Sequence, residues 1–132
     1  MDKKTTALML GLVIVVLGAG LGMLALSGKS GQHDVCERQT GRSLKITITN
    51  SKPSVADVKG KPCDHITFTN SDKVTREIGF GQHDNHVAYD GISERILKQG
   101  ASFTITLDQV GRFHWHDHYH DEVEGYFTVK EL

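Results

Sequence analysis

Six of the eight histidines in the chain lie in two short clusters whose side chains could together bind a metal ion. His114, His116, His118 and His120 occupy alternate positions between two glycines, and His83 and His86 form the other cluster upstream. Neutral imidazole is the commonest protein ligand for first-row transition metals, which need three or four donors converging from separate parts of the chain. The two clusters therefore predict a metal site.

The candidate ligands, with the strongest first, are His86, His118 and His120, then His83 and His116, and finally Asp117. Asp117 is expected either to bind the metal or to accept a hydrogen bond that orients an imidazole. His114 is expected to face solvent, and His33 and His65, outside the clusters, are not expected to bind. The alternative interpretation of the alternating histidines is a polar strand face that simply carries surface imidazoles.

The N-terminal segment, residues 1–27, is predicted to be a transmembrane anchor. Residues 7–26 contain no charged or strongly polar side chain, and Lys3 and Lys4 precede them. A helix of about 20 apolar residues spans a bilayer core, and basic residues before it favour a cytoplasmic N-terminus. A secretory signal is the alternative. With either an anchor or a secretory signal, the chain after residue 27 is expected on the extracytoplasmic side. A single-pass anchor would also keep it at the cell membrane.

Residues 28–41 are polar, contain glycine and lack a period, so we expect them to form a linker. Both cysteines, Cys36 and Cys63, lie in the exported part, where an oxidising compartment would allow a disulfide between them. The alternative is two free thiols, one of which could reach the metal. The net charge of −1 gives no sign of a basic surface, so a nucleic-acid partner is not expected.

From residue 42 onwards, apolar and polar residues alternate with the period of two that is typical of half-buried strands. The clearest apolar positions are Leu44, Ile46 and Ile48, then Ile66 and Phe68, and later Phe103, Ile105 and Leu107. Together with shorter candidates between turn residues, they indicate about seven strands in an all-β sandwich or barrel. Residues 92–97 are weakly amphipathic and are expected to form a turn of helix or a loop.

Residues 44–129 resemble the cupredoxin family. The resemblance is carried by three motifs: the strand ending Thr67-Phe68-Thr69-Asn70, the segment Asn85-His86-Val87, and Gly111-x-Phe113-x-Trp115-x-Asp117-x-x-His120 followed by Gly125-Tyr126-Phe127. In the family, the second and third motifs carry histidine ligands of copper. The resemblance implies a Greek-key β-sandwich of about seven strands over residues 42–132 with a copper site at one end.

Two departures from the family change the expected chemistry. Asp117 stands where the electron-transfer cupredoxins have a cysteine thiolate, and the three methionines, Met1, Met9 and Met23, all lie in the N-terminal segment. A trigonal site of two histidines and a thiolate suits electron transfer, whereas imidazole with carboxylate or water suits Cu(II), Zn(II) or Ni(II). We therefore predict a histidine-rich tetragonal Cu(II) site, with zinc as the alternative metal, and disfavour fast electron transfer.

The predicted function is that of a membrane-anchored, extracytoplasmic protein that captures, buffers or delivers Cu(II), with a copper donor or acceptor protein as its partner. One alternative is a small copper-dependent oxidoreductase, and another is a metal-free cupredoxin-like interaction domain. The sequence contains no recognisable substrate pocket, so a binding role is favoured over an enzymatic one.

Overall fold

A computed structural model of the chain describes residues 36–37 and 41–131. The predicted anchor, residues 1–27, and most of the predicted linker lie outside these residues. In the described part, no helix is long and apolar enough to cross a membrane.

Within the described residues, ten β-strands form the domain. They are β1 (Ser43–Thr49), β2 (Lys52–Pro53), β3 (Asp57–Gly60), β4 (His65–Asn70), β5 (Arg76–Gln82), β6 (Asn85–His86), β7 (Glu94–Leu97), β8 (Ser102–Thr106), β9 (Gly111–Asp117) and β10 (His120–Val129). The number exceeds the predicted count of about seven because β2, β3, β6 and β7 are too short to show a period of their own.

The strands pair into two sheets, in the orders β2-β1-β4-β8 and β3-β10-β9-β5-β6, with β7 also paired to β5. Most neighbours are antiparallel, but β1 runs parallel to β4 and β3 runs parallel to β10. The prediction of an all-β sandwich is therefore confirmed for the described residues.

The core lies between the two sheets and follows the predicted alternation. Ile46, Ile66, Phe68 and Ile105 of the first sheet are fully buried, and Trp115 is the largest buried side chain of the second. The Phe68 ring meets the Trp115 indole edge to face, with centroids 5.3 Å apart. Because Trp115 points into the core, its neighbours His114 and His116 on β9 point to the opposite face of the sheet.

A disulfide joins Cys36 to Cys63, which confirms the predicted bridge. The bond fixes the segment before β1 to the start of β4. Since these are the only cysteines of the chain, neither thiol is left to bind a metal.

The expectation of a helical turn or loop at residues 92–97 is wrong, because Glu94–Leu97 forms strand β7 and pairs with β5. Asp90 and Gly91 both have positive φ angles, of 50° and 69°, and reverse the chain just before it. Tyr89 and Ile92 close this turn with two backbone hydrogen bonds of 2.9 Å. Asp-Gly is a favoured pair for such hairpin turns, so the signal was present in the sequence.

Candidate metal centre

Four imidazoles gather on the outer face of the second sheet, those of His83, His86, His116 and His118. His116 lies opposite Gly79 in the pairing of β9 with β5, and His86 lies opposite Gly81 in the pairing of β6 with β5. His83 belongs to the turn between β5 and β6, and His118 to the turn between β9 and β10. The strand β5 thus brings both sequence clusters to one place.

The four rings form a closed circuit. Neighbouring centroids are 4.7 Å apart for His83 and His118, 5.1 Å for His118 and His86, 5.0 Å for His86 and His116, and 5.5 Å for His116 and His83. Across the circuit, the centroids of His116 and His118 are 6.2 Å apart.

These spacings match those of imidazoles that share one ion. A transition-metal ion lies about 2.0–2.1 Å from a bound imidazole nitrogen, and therefore about 3.2 Å from the centroid of that ring. Two imidazole rings on a tetrahedral ion then have centroids about 5 Å apart. Two opposite rings on a planar ion have centroids about 6 Å apart. The four sides of the circuit, 4.7 to 5.5 Å, lie near the value for two rings on a tetrahedral ion, whereas the diagonal of 6.2 Å is longer than that value. The ligand atoms of His83, His116 and His118 lie within 4.8 Å of one another, so a small convergence of these side chains would let them hold a transition-metal ion.

His86 and His116 face one another through nitrogens that carry lone pairs. The Nδ1 hydrogen of His116 is donated to the carbonyl oxygen of Gly81 at 3.2 Å, and that of His86 to the Glu94 carboxylate at 2.5 Å. Both acceptors lack a hydrogen to give, so each neutral ring leaves Nε2 unprotonated. The two Nε2 atoms are 3.1 Å apart.

Two lone pairs at that distance repel unless a proton or a cation lies between them. Two imidazole nitrogens bound to one ion are about 2.8 Å apart in a planar site and about 3.3 Å apart in a tetrahedral one. The observed separation lies between these values. His86 and His116 are therefore arranged as adjacent ligands.

His116 is the most deeply placed of the four rings, with 2% of its surface exposed. Burial lowers the pKa of His116, and the nearby His86 and His114 lower it further, while the hydrogen bond to Gly81 acts in the opposite sense. The ring is therefore kept in the neutral form, which is the form that binds metals.

His118 contributes the nitrogen that most needs a partner. Its Nδ1 is buried and has no hydrogen-bond partner within the part of the chain that the structure describes. Buried polar atoms are nearly always satisfied, so an orphaned nitrogen beside three other imidazoles is a candidate ligand atom. Its backbone N–H donates to the carbonyl oxygen of Glu77 at 2.7 Å, which fixes the main chain at this point.

Two glycines of β5 make room for this arrangement. A Cβ at Gly79 would lie 3.3 Å from Cε1 of His86, so the absent side chain lets that ring lie against the strand. Gly81 has a φ of 88°, and a Cβ there would lie 2.7 Å from the carbonyl oxygen of Asn85. Only glycine allows this close return of β6 without strain.

Glu94 is a candidate ligand that the sequence analysis did not identify. Its carboxylate forms a second group of possible metal ligands with His86 and His118, beside the group formed by His83, His116 and His118. Glu94 reaches the centre because the turn at Asp90 and Gly91 brings β7 back onto β5. Recognition of that turn would have placed a carboxylate near His86.

His83 is the most accessible of the gathered rings, with 46% of its side chain exposed. Its Nδ1 lies 3.1 Å from the carboxylate of Asp121, which is also exposed. The ring stacks on His118 at an interplanar angle of 14°.

The structure places Asp117 and His120 apart from this group. Asp117 is fully buried and points to the inner side of the sheet, where its Oδ2 accepts hydrogen bonds from Arg76 at 2.7 Å and from Nδ1 of His120 at 3.2 Å. Its Oδ1 accepts the backbone N–H groups of Glu77 and Tyr119. Asp117 thus contacts His120, and both of its predicted roles at a metal ion stay predictions.

The expectation that His114 faces solvent is wrong, because only 11% of its side chain is exposed. Its Nδ1 lies 2.7 Å from the carbonyl oxygen of Gly81, and its Nε2 lies 2.7 Å from the carboxylate of Glu124. Both nitrogens are therefore directed at acceptors. Of the two remaining histidines, His65 lies on β4 near Thr106, and His33 lies outside the described residues.

Solved structures of cupredoxins share this fold. A purple cupredoxin from Nitrosopumilus maritimus superposes with a TM-score of 0.58 at 19% sequence identity, over 66% of this chain and 99% of that one. An oxidised amicyanin variant gives 0.57 at 17% identity, over 67% and 82% of the two chains. The reduced Cu(I) form of another amicyanin variant gives 0.57 at 16% identity, over 72% and 89%.

No family model and no curated protein sequence matches the chain. The likeness to solved structures is one of fold, and the protein has a cupredoxin-like β-sandwich. Within the described residues, the histidine groups could hold a metal ion.

Proposed function

We propose that the protein binds Cu(II) through His83, His86, His116 and His118, and captures, buffers or delivers the ion on the outer side of the cell membrane. The observation that carries the proposal is the gathering of four imidazoles, in which Nε2 of His86 lies 3.1 Å from Nε2 of His116 and the ligand atoms of His83, His116 and His118 lie within 4.8 Å of one another. When bound, the copper would supply a positively charged centre that can exchange ligands with another protein or chelator.

The donor set favours Cu(II) over Cu(I). Soft thiolate and thioether ligands select Cu(I), whereas imidazole and carboxylate suit the divalent ion. The cysteines are joined in the disulfide, and all three methionines lie in the N-terminal segment. Zinc would accept the same ligands, but copper binds such sites more tightly in the order of divalent metals.

The same donor set disfavours electron transfer as the principal role. A fast electron carrier needs a site whose geometry suits both oxidation states, which the trigonal thiolate site provides. Here the thiolate position holds Asp117, and its carboxylate is engaged by Arg76. We therefore place copper binding before electron transfer.

The extracytoplasmic location is part of the proposal and rests on two supports. Residues 7–26 have the length and composition of a membrane-spanning helix. The disulfide between Cys36 and Cys63 is of the kind that persists in oxidising compartments.

Exposed carboxylates near His83, among them Asp84 and Asp121, would suit a delivery partner with a basic face.

A titration of the full chain in detergent tests the proposal. Cu(II) is added to metal-free protein and followed by calorimetry and paramagnetic resonance, with zinc as competitor. We expect one tightly bound ion, hyperfine coupling to several imidazole nitrogens and no intense thiolate band. His65→Ala is the matched control and should bind as the wild type does. Absence of binding, or full binding by a His116→Ala variant that is folded, would overturn the assignment.

A copper-dependent oxidoreductase is the second candidate. A cavity of about 400 Å³ lies beside the centre, and its lining includes Gly81, His114, Tyr89, Phe113 and Tyr126. Aromatic walls beside a metal site could admit a small organic substrate. Turnover of phenols by the copper-loaded protein above that of free copper would favour this function, and equal turnover would dismiss it.

A further inference from the structure

A buried guanidinium lies on the inner side of the sheet, below the candidate metal centre. Arg76, the first residue of β5, has no solvent-exposed surface. One of its terminal nitrogens donates to Asp117 at 2.7 Å, and the other donates to Asp72 at 2.6 Å and to the hydroxyl of Ser51 at 3.0 Å. Two carboxylates and a hydroxyl thus enclose a permanent positive charge.

The carboxylate of Asp117, which Arg76 holds in place, also binds the turn between β9 and β10. It accepts the backbone N–H of Glu77 at 3.0 Å and that of Tyr119 at 3.1 Å. Between those contacts, the backbone N–H of His118 donates to the carbonyl oxygen of Glu77 at 2.7 Å. The main chain is therefore held on both sides of His118, the ring shared by both groups of candidate ligands.

We infer that Arg76 is a positioning residue for the metal centre: an internal cation that, through Asp117, holds the turn carrying His118 in place for an ion on the outer face. The inference rests on the proposed function. Arg76 donates hydrogen bonds to Asp117, Ser51 and Asp72, none of which is a proposed ligand, so its action is transmitted by the Asp117 carboxylate.

The physical reason is that a fully buried carboxylate requires a cation. An unpaired carboxylate in the interior is strongly unfavourable, and either a metal ion or a guanidinium can supply the charge. The guanidinium of Arg76 already satisfies Asp117, so an ion on the inner side would have to displace it. Because arginine stays charged and presents donors in a planar fork, it can bridge Asp117 and Asp72 at once.

A guanidinium also differs from a metal in that it cannot dissociate from the chain. The turn is therefore ordered before an ion binds on the outer face. A ligand that is already in position loses less conformational freedom on binding, which strengthens the affinity of the site. Arg76 thus serves the outer site by removing the cost of ordering His118.

Two variants separate this role from general stabilisation. Arg76→Met combined with Asp117→Leu removes both buried charges together, and such replacements often leave folding intact. Arg76→Lys keeps the charge but loses the fork that reaches two carboxylates. Arg42→Met is the matched control, because Arg42 pairs with the buried carboxylate of Asp64, which is not part of the Asp117 network.

The first measurement is amide hydrogen exchange in the metal-free full chain. In the double variant, we expect the amides of His118 and Tyr119 to exchange about tenfold faster or more, while the core amide of Phe68 keeps its rate. In Arg76→Lys, we expect a smaller change at the same two amides. Arg42→Met should leave them unchanged.

The second measurement is Cu(II) affinity together with the paramagnetic resonance spectrum. We expect the double variant to bind copper about tenfold more weakly or worse, with altered coupling to nitrogen. A folded double variant with wild-type exchange at His118 and wild-type copper binding would overturn the inference. If the double variant fails to fold, the Arg76→Lys variant tests the inference instead. Unchanged amide exchange at His118 and Tyr119 in Arg76→Lys would also overturn the inference.

The two proposals fail in different ways. If the wild type does not bind copper, the proposed function is refuted. Faster amide exchange at His118 in the variants would still support the conclusion that Arg76 restrains the turn between β9 and β10. If copper binds but the variants leave both readouts unchanged, the function stands and the role of Arg76 is refuted.

Discussion

Nδ1 of His120 lies 3.2 Å from the carboxylate of Asp117, which is buried on the inner side of the sheet. His118, two residues earlier, takes the other side and stacks on His83. One short turn therefore separates a candidate ligand from a histidine with a structural partner. From the sequence alone, His118 and His120 are equally strong candidate ligands.

Replacement of His118 and His120 one at a time should give opposite results. We expect His118→Ala to lower the Cu(II) affinity at least about 100-fold, since the loss of a direct ligand should cost no less than the loss of the group that orients one. His120→Ala should change the affinity less than about threefold, because its ring is held by Asp117. Isothermal titration of both variants measures the difference. Equal losses would show that the ion is bound on the inner side after all.

The Glu94 carboxylate should tune the centre through His86. It accepts the Nδ1 hydrogen of that ring, and such acceptors raise the basicity of a ligand imidazole and fix its orientation. We expect Glu94→Gln to weaken copper binding about tenfold. Glu124→Gln is the control, since Glu124 pairs with His114 instead. Equal effects of the two substitutions would contradict this role.

The stability of the metal-free protein should fall as the pH drops below about 6.5. Burial, and then the neighbouring His86 and His114, lower the pKa of His116 from its ordinary value of 6.5. Between the folded and unfolded pKa values, the unfolded chain binds more protons, so the free energy of unfolding decreases with decreasing pH and levels off below the folded pKa.

Urea denaturation from pH 7.5 to 5 measures this slope, and His116→Gln should reduce it. The carboxyl groups whose pKa lies below the ordinary value of 3.8 are those of Asp57, Asp64 and Asp72, and they leave this range unaffected. Copper affinity should fall over the same range, because imidazole must lose its proton to bind. A slope that is unchanged in His116→Gln would assign the pH dependence to other groups.

Removal of the disulfide should affect folding more than metal binding. The bond joins residues 27 positions apart, and a loop of that size corresponds to about 3 to 4 kcal/mol in the chain-entropy model. We expect Cys36→Ser with Cys63→Ser to lower the melting temperature while the copper resonance spectrum keeps its form. A changed spectrum would mean that the bridge supports the centre directly.

Much of the fold could be predicted from local pattern. Ile46, Ile48, Ile66 and Phe68 alternate with polar residues, and the structure buries all four completely. Such positions are predictable because the period of a strand fixes which side chains share a face. Strand β7 was missed since its four residues show no alternation and depend on a turn that precedes them.

The gathering of histidines was predictable from their clustering in the sequence, but the identity of the histidines that meet was less so. Histidine clustering indicated the imidazoles, whereas the choice between His118 and His120 depends on the direction of the chain after β9 ends. Arg76 gave no local signal, because arginine is mostly exposed in proteins. Its burial requires Asp117, which is 41 positions away in sequence, to join the nearby Asp72 around it.

The exposure of His83 has a consequence for how copper would leave the protein. With nearly half of its side chain at the surface, it is the ring that an incoming chelator or acceptor reaches before the buried His116. Release would then proceed by stepwise replacement, with the acceptor's first donor taking the coordination place of His83 while the deeper rings still hold the ion. Handover of this kind never leaves copper free in solution, so the acceptor determines when the metal departs.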